Sequence, residues 1–105
     1  MLKKKHKILA KIQQGHPVVR LLIQHPMETG NRIDKLTGAK IPRHFIREIH
    51  CRYNGKRVMS GYWSWGMAVN PYLALHLASG QKGDHVRIDW TDNQGVSDSI
   101  ETRVG

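Results

Sequence analysis

Residues 45–56 read FIREIHCRYNGK, and the spacing of their apolar positions decides the fold. Phe45, Ile49, Cys51 and Tyr53 share one face of an extended chain, with Arg47 the exception and Glu48, His50 and Arg52 opposite. Successive side chains of a strand point to opposite faces, so this is a strand with one buried face. Asn54-Gly55 follows, between Tyr53 and Lys56. Both residue types tolerate positive φ, which a tight two-residue hairpin demands. The chain should therefore reverse here into a second, antiparallel strand.

The same period of two runs outward in both directions. Ile8, Ala10 and Ile12 alternate with Lys7, Lys11 and Gln13, and Val19, Leu21 and Ile23 alternate with Arg20, Leu22 and Gln24. Leu73, Leu75 and Leu77 alternate with Ala74, His76 and Ala78, and Val86, Ile88 and Trp90 alternate with Arg87 and Asp89. Val96, Ile100 and Val104 are expected to close the inward series. Turn-forming groups separate these runs: Gly15-His16-Pro17, Thr37-Gly38, Gly80-Gln81-Lys82-Gly83 and Asp92-Asn93-Gln94-Gly95. No apolar stripe of period 3.6 and no internal repeat interrupts the pattern. About seven short antiparallel strands in this length predict an all-β fold, an immunoglobulin-like β-sandwich.

At 105 residues and 12.0 kDa the chain is one domain, 1–105, with a basic N-terminal extension at about 1–7. It has no apolar run of about 18 residues, so no membrane partner is expected. The lysine-rich start resembles the charged beginning of a secretory signal, but Lys11, Gln13 and Gln14 interrupt the apolar stretch that should follow. No export signal of its own is expected. One cysteine, Cys51, excludes an internal disulfide and a multi-cysteine zinc site. Charge is uneven: residues 1–57 hold 14 Lys/Arg against 3 Asp/Glu, a balance of +11, and residues 58–105 hold 3 against 5, a balance of −2. That asymmetry suits either a solvated basic face or an anionic partner: nucleic acid, an acidic protein or an anionic substrate.

Candidate chemistry is sparse. His25 and Met27, two apart with Glu28 beside them, could be half of a metal site or only a strand end and its turn. A blue-copper site needs two His, a Cys and usually a weak Met, but the nearest such residues after Cys51 are Met59 and His76, and Cys51 lies on the inward face. It reads as a core thiol. The seven histidines never form an i,i+2 or i,i+4 pair, and they are expected to be scattered over the surface. Nucleophile elbows, phosphate loops and paired-carboxylate motifs are lacking, so no catalytic residue, metal ligand or cofactor is assigned. A small basic β-domain that binds nucleic acid is the alternative function. Against it, Tyr62, Trp63, Trp65 and Tyr72 lie in the acidic half, away from the lysines that would track phosphates. The aromatic and Met density of residues 61–72 suits either core plus a strand or a protein interface formed by Tyr62, Trp63, Trp65, Met67 and Tyr72.

Several pieces occur in one order: His25-Pro26-Met27-Glu28-Thr29-Gly30, then Arg32 and Asp34, Ile41-Pro42-Arg43, Cys51-Arg52-Tyr53-Asn54-Gly55, Asn70-Pro71-Tyr72-Leu73 and Trp90-Thr91-Asp92-Asn93-Gln94-Gly95. As a set they resemble the Z-subunit (SoxZ) family of the SoxYZ thiosulfate-oxidation carrier complex, from about residue 17 onward. The segment from Tyr62 to Val69 departs most from that pattern. The resemblance implies an immunoglobulin-like sandwich and a non-catalytic scaffold role in the sulfur-oxidation (Sox) system. It implies a heterodimer with a Y-type carrier subunit, whose C-terminal cysteine carries thiosulfate-derived groups, and transient contact with the pathway's enzymes. It also implies a periplasmic location, reached by export bound to the partner. Nucleic acid is then not a partner, and Cys51 is not the carrier. Residues 25–30 become a structural and interface turn, in which Pro26 ends a strand ladder and Gly30 permits the reversal.

Overall fold

In the computed structural model, residues 6–62 and 71–105 are described, and among them the fold is entirely strand. Seven strands run in order: β1 Lys7–Gln13, β2 His16–Leu22, β3 Ile46–Tyr53, β4 Lys56–Tyr62, β5 Tyr72–His76, β6 His85–Asp92 and β7 Ser97–Arg103. They form two antiparallel sheets, one ordered β1-β2-β5 and the other β4-β3-β6-β7. This is the expected immunoglobulin-like sandwich, with hairpins β1–β2, β3–β4 and β6–β7 and crossovers between the sheets. The core lies between them: Val19, Leu21 and Ile23 from one side meet Ile46, Ile49, Cys51, Val86, Ile88 and Trp90 from the other.

The hairpin signal at Asn54-Gly55 holds, with φ of 50° and 81° matching the primed turn that suits the strand twist. The β1–β2 hairpin uses the same geometry at Gln14-Gly15, so His16 and Pro17 already belong to β2 rather than to the turn. Arg47, which broke the alternation, marks a register shift between Ile46 and Glu48 against β6. A bulge places an extra residue on one strand and inverts the alternation beyond it. Ile46 is therefore fully buried, while Phe45, expected inward in phase with Ile49, only packs against the core from its border. Val96 was also expected inward and is 53% exposed, because Asp92 and Val96 close the β6–β7 turn instead.

At one end of the sandwich Tyr53 Oη donates to Asp84 Oδ2 at 2.5 Å, and Asn54 Oδ1 accepts from the His85 N–H at 2.8 Å. Gly80 is required there: a Cβ on it would meet Tyr53 Oη at 2.1 Å and Pro17 Cγ at 2.5 Å. The opposite end carries the 23-residue connection between β2 and β3, residues 23–45, and with it most of the functional interest.

Candidate functional site: a histidine–aspartate clamp and the hairpin it carries

The inward phase of β2 does not stop with the strand. Val19, Leu21 and Ile23 are buried, and so are His25 and Met27 in the same phase. Likewise Val86, Ile88 and Trp90 of β6 are followed inward by Asp92. His25 and Asp92 are each 4% exposed, and a buried polar group must find partners or cost several kcal/mol. They find each other. His25 Nε2 lies 3.5 Å from Asp92 Oδ2, and His44 Nε2 lies 2.8 Å from the same oxygen. The two imidazoles meet edge to face at 4.5 Å. Asp92 Oδ1 accepts from the N–H groups of Gln94 and Val96, both at 2.9 Å. Burial works against ionisation of Asp92. The Val96 N–H, His44, the Gln94 N–H and His25 outweigh it and hold the carboxyl below its ordinary range.

The surface placement expected for the histidines is thus wrong for His25. The proximity of three ligand-type side chains also reopens the question of a cation, since their ligand atoms lie within 4.8 Å of one another. Here those atoms are engaged with one another and with the backbone. Met27 N–H donates to His25 Nδ1 at 3.1 Å, so that nitrogen accepts and the ring proton of neutral His25 sits on Nε2, facing Asp92. A metal at Nε2 would have to displace that proton while Nδ1 still received a donor. Both Asp92 oxygens are already occupied by donors. The cluster is a clamp whose atoms are spent on one another.

Around the clamp, neighbouring motifs lock together. Glu28 and His44 exchange backbone bonds at 2.6 and 3.1 Å. Asn93 accepts from the Phe45 N–H through Oδ1 at 2.8 Å and donates from Nδ2 to Arg43 O at 3.0 Å. Ile46 N–H reaches Met27 Sδ at 3.4 Å, and Met27 itself holds a φ of 48°. Gly30 holds a φ of 89°, and the His25 and Met27 side chains point into this chain's own core.

Other constellations are weaker. His50 Nδ1 is 2.8 Å from Ser60 Oγ, with Glu48 Oε2 3.6 Å from the other ring nitrogen. The order acid–imidazole–hydroxyl is that of a nucleophile relay, but Ser60 is exposed on a β-ladder, with nothing among the described residues to exclude water or hold an oxyanion. Cys51 is 0% exposed, and burial pushes its thiol up to about 11, with Asp89 adding to the effect; it is the inert core thiol expected. Of the aromatic segment, Tyr62 and Tyr72 are exposed, while Trp63, Trp65 and Met67 lie outside the described residues.

Most of the motifs that carry the sequence resemblance meet at the clamp, and comparison with known families agrees. The family model described as "Sulphur oxidation protein SoxZ" matches residues 7–103. The chain belongs to the SoxZ family. Membership places it in the Sox sulfur-oxidation system. No curated protein matches the chain. Within this SoxZ-family chain, residues 25–30, 41–45 and 92–96 converge through the bonds just described, and Ile23 N–H reaches Pro71 O at 3.0 Å to bring in the start of β5. Their common task here is to build one end of the sandwich.

Proposed function

We propose that this chain is the non-catalytic scaffold half of a periplasmic sulfur carrier. Its stable partner is a Y-type subunit whose C-terminal cysteine bears thiosulfate-derived groups, and the pair is exported together. Family membership across residues 7–103 supports the system, and the outer face of the three-stranded sheet carries the partner assignment. There Leu9 and Tyr72 stand exposed beside Leu22, framed by Lys7 and Arg20, along a groove of about 720 Å³. None of the eight Asp/Glu residues lies in β1, β2 or β5, and neither Lys7 nor Arg20 forms an ion pair among the described residues. Ile100, Glu101 and Thr102 of β7 complete the lining, so an apolar floor with a tyrosine carries a rim of mixed charge, the composition of a protein interface. Tyr62 is exposed on β4 of the other sheet, and the part played by Trp63, Trp65 and Met67 rests on the sequence alone. Titration of the purified Y-type subunit against Tyr72→Ala tests this, with at least about a tenfold loss of affinity expected, roughly 1.4 kcal/mol. Wild-type affinity in both Tyr72→Ala and Leu9→Ser would move the carrier interface elsewhere.

A further inference from the structure

Between Glu28 and His44 the chain leaves the sandwich and returns as a small hairpin with its own internal order. Ile33 and Lys40 pair antiparallel. Asp34 N–H bonds Ala39 O at 2.9 Å, Gly38 N–H bonds Asp34 O at 2.8 Å, and Ile41 N–H bonds Arg32 O at 2.8 Å. At the tip, Asp34 Oδ1 accepts from the Leu36 N–H at 2.8 Å and Thr37 Oγ1 accepts from the Ala39 N–H at 3.3 Å. The base is riveted as well. Arg32 grips Glu28 through Nε and Nη2, and Arg43 Nε donates to Thr29 O at 3.0 Å. Beneath them sits the histidine–aspartate clamp.

What this scaffold holds out is a leucine. Leu36 is 96% exposed at the tip, with Ile33 55% exposed on the stem below it. A lone exposed apolar residue on a floppy loop needs no explanation, but here the backbone at the tip is bonded and the stem is anchored. Lys35 stands exposed beside Leu36 and Lys40 opposite Ile33 on the stem, and neither forms an ion pair among the described residues.

We propose that the hairpin of residues 31–43 is a docking finger. It inserts Leu36 into an apolar pocket with an acidic rim on a visiting protein of the Sox system, while the carrier subunit occupies a different face. Lys35 and Lys40 supply the charge complement and speed the encounter, and the leucine supplies the anchor. Size decides between visitor and permanent partner. A stable interface buries roughly 800 Å² per partner, and a single fingertip offers only a fraction of that, which suits a contact made and released each cycle. Pre-ordering matters for the same reason: a small contact cannot also carry the entropy of ordering its own loop.

This inference rests on the scaffold reading, and the experiment separates the two. The intact heterodimer is prepared with wild-type chain, Leu36→Asp and Lys35→Glu/Lys40→Glu, and each is titrated with the other purified Sox proteins singly. The expected result is an unchanged heterodimer and melting temperature for every variant. Affinity for at least one Sox protein should fall at least about tenfold in Leu36→Asp, equivalent to about 1.4 kcal/mol. The double lysine variant should show a slower on-rate and a flatter salt dependence. Failure of wild type to form the heterodimer would sink the scaffold reading itself. Loss of the heterodimer in Leu36→Asp alone would overturn the finger by placing it at the carrier interface. Equal affinities of wild type and Leu36→Asp for every Sox protein, or no binding by either, would also overturn it. So would wild-type self-association that Leu36→Asp abolishes, because the occupant would then be a second copy.

Discussion

The two ends of this sandwich solve the same problem with different thoroughness. Each places a carboxylate at a strand end, to hold turns that the ladder does not reach. At one end Asp84 accepts from the Tyr53 hydroxyl and the Gln81 N–H. At the other, Asp92 is nearly inaccessible and receives two backbone N–H groups and two imidazoles, with Asn93 tying down Arg43 and Phe45 beside it. The first end closes short connections and projects nothing comparable. The second supports an ordered hairpin that reaches into solvent. Rigidity has been concentrated where something is held out, which is what a docking element needs and a plain turn does not.

If that contrast is right, the largest stability loss in the molecule outside the apolar core should come from Asp92→Ala. It leaves two backbone N–H groups and a buried imidazole without an acceptor, and breaking a buried, hydrogen-bonded charge cluster costs about 3 kcal/mol or more. Urea denaturation of the purified chain measures it. A loss under about 1 kcal/mol would mean that water replaces the carboxylate and that the clamp is not what stiffens this end.

Tyr53→Phe probes the other end and should cost less than half as much, because Asp84 keeps the Gln81 N–H. Its signature is in the pH profile. Burial, and then the bond and charge of Asp84, raise the Tyr53 hydroxyl from 10.0 to about 12. The folded state therefore holds that proton more tightly than the unfolded one. The stability it contributes is full below pH 10 and is lost as pH rises through about 12. Asp84 and Asp92 are both held below 3.8, so their contribution is present above that pH and lost as pH falls through the folded values. Tyr53→Phe should remove the alkaline loss attributable to this hydroxyl and leave the Asp92 part of the acid loss intact. Unchanged steepness of the alkaline limb would show that the Tyr53–Asp84 bond does not persist in solution.

The sequence was generous with the strands and poor with the clamp. Period-two alternation and Asn54-Gly55 are local signals, so they located β1, β2, β3, β6 and the central hairpin. Arg47 even announced the bulge as a break in phase. The clamp joins residues separated by 67 and 48 positions, and no local window contains such a pair. One signal was available: His25 and Asp92 each continue the inward phase of a buried strand, two residues beyond Ile23 and Trp90. A polar residue in an inward phase must have a partner, and two such residues at strand ends are candidates for each other. The hairpin was legible only as Thr37-Gly38 between runs. Its anchoring depends on Arg32 and Arg43, whose partners Glu28 and Thr29 O no charge count or motif order names.

The smallest expected effect is the most diagnostic. Leu36→Ser should change stability by no more than about 0.5 kcal/mol, because a side chain 96% exposed loses no packing when it is cut back. Serine at a hairpin tip is well tolerated, and the bond from the residue 36 N–H to Asp34 Oδ1 involves only its backbone. Thermal denaturation of the isolated chain reads this directly. A neutral result makes Leu36 an apolar group that the fold does not need, carried on a structure it takes considerable bonding to build. A loss above about 1 kcal/mol would instead mean that Leu36 packs against this chain in solution. The difference between the two ends would then reflect ordinary core-building, and the hairpin would have nothing to present.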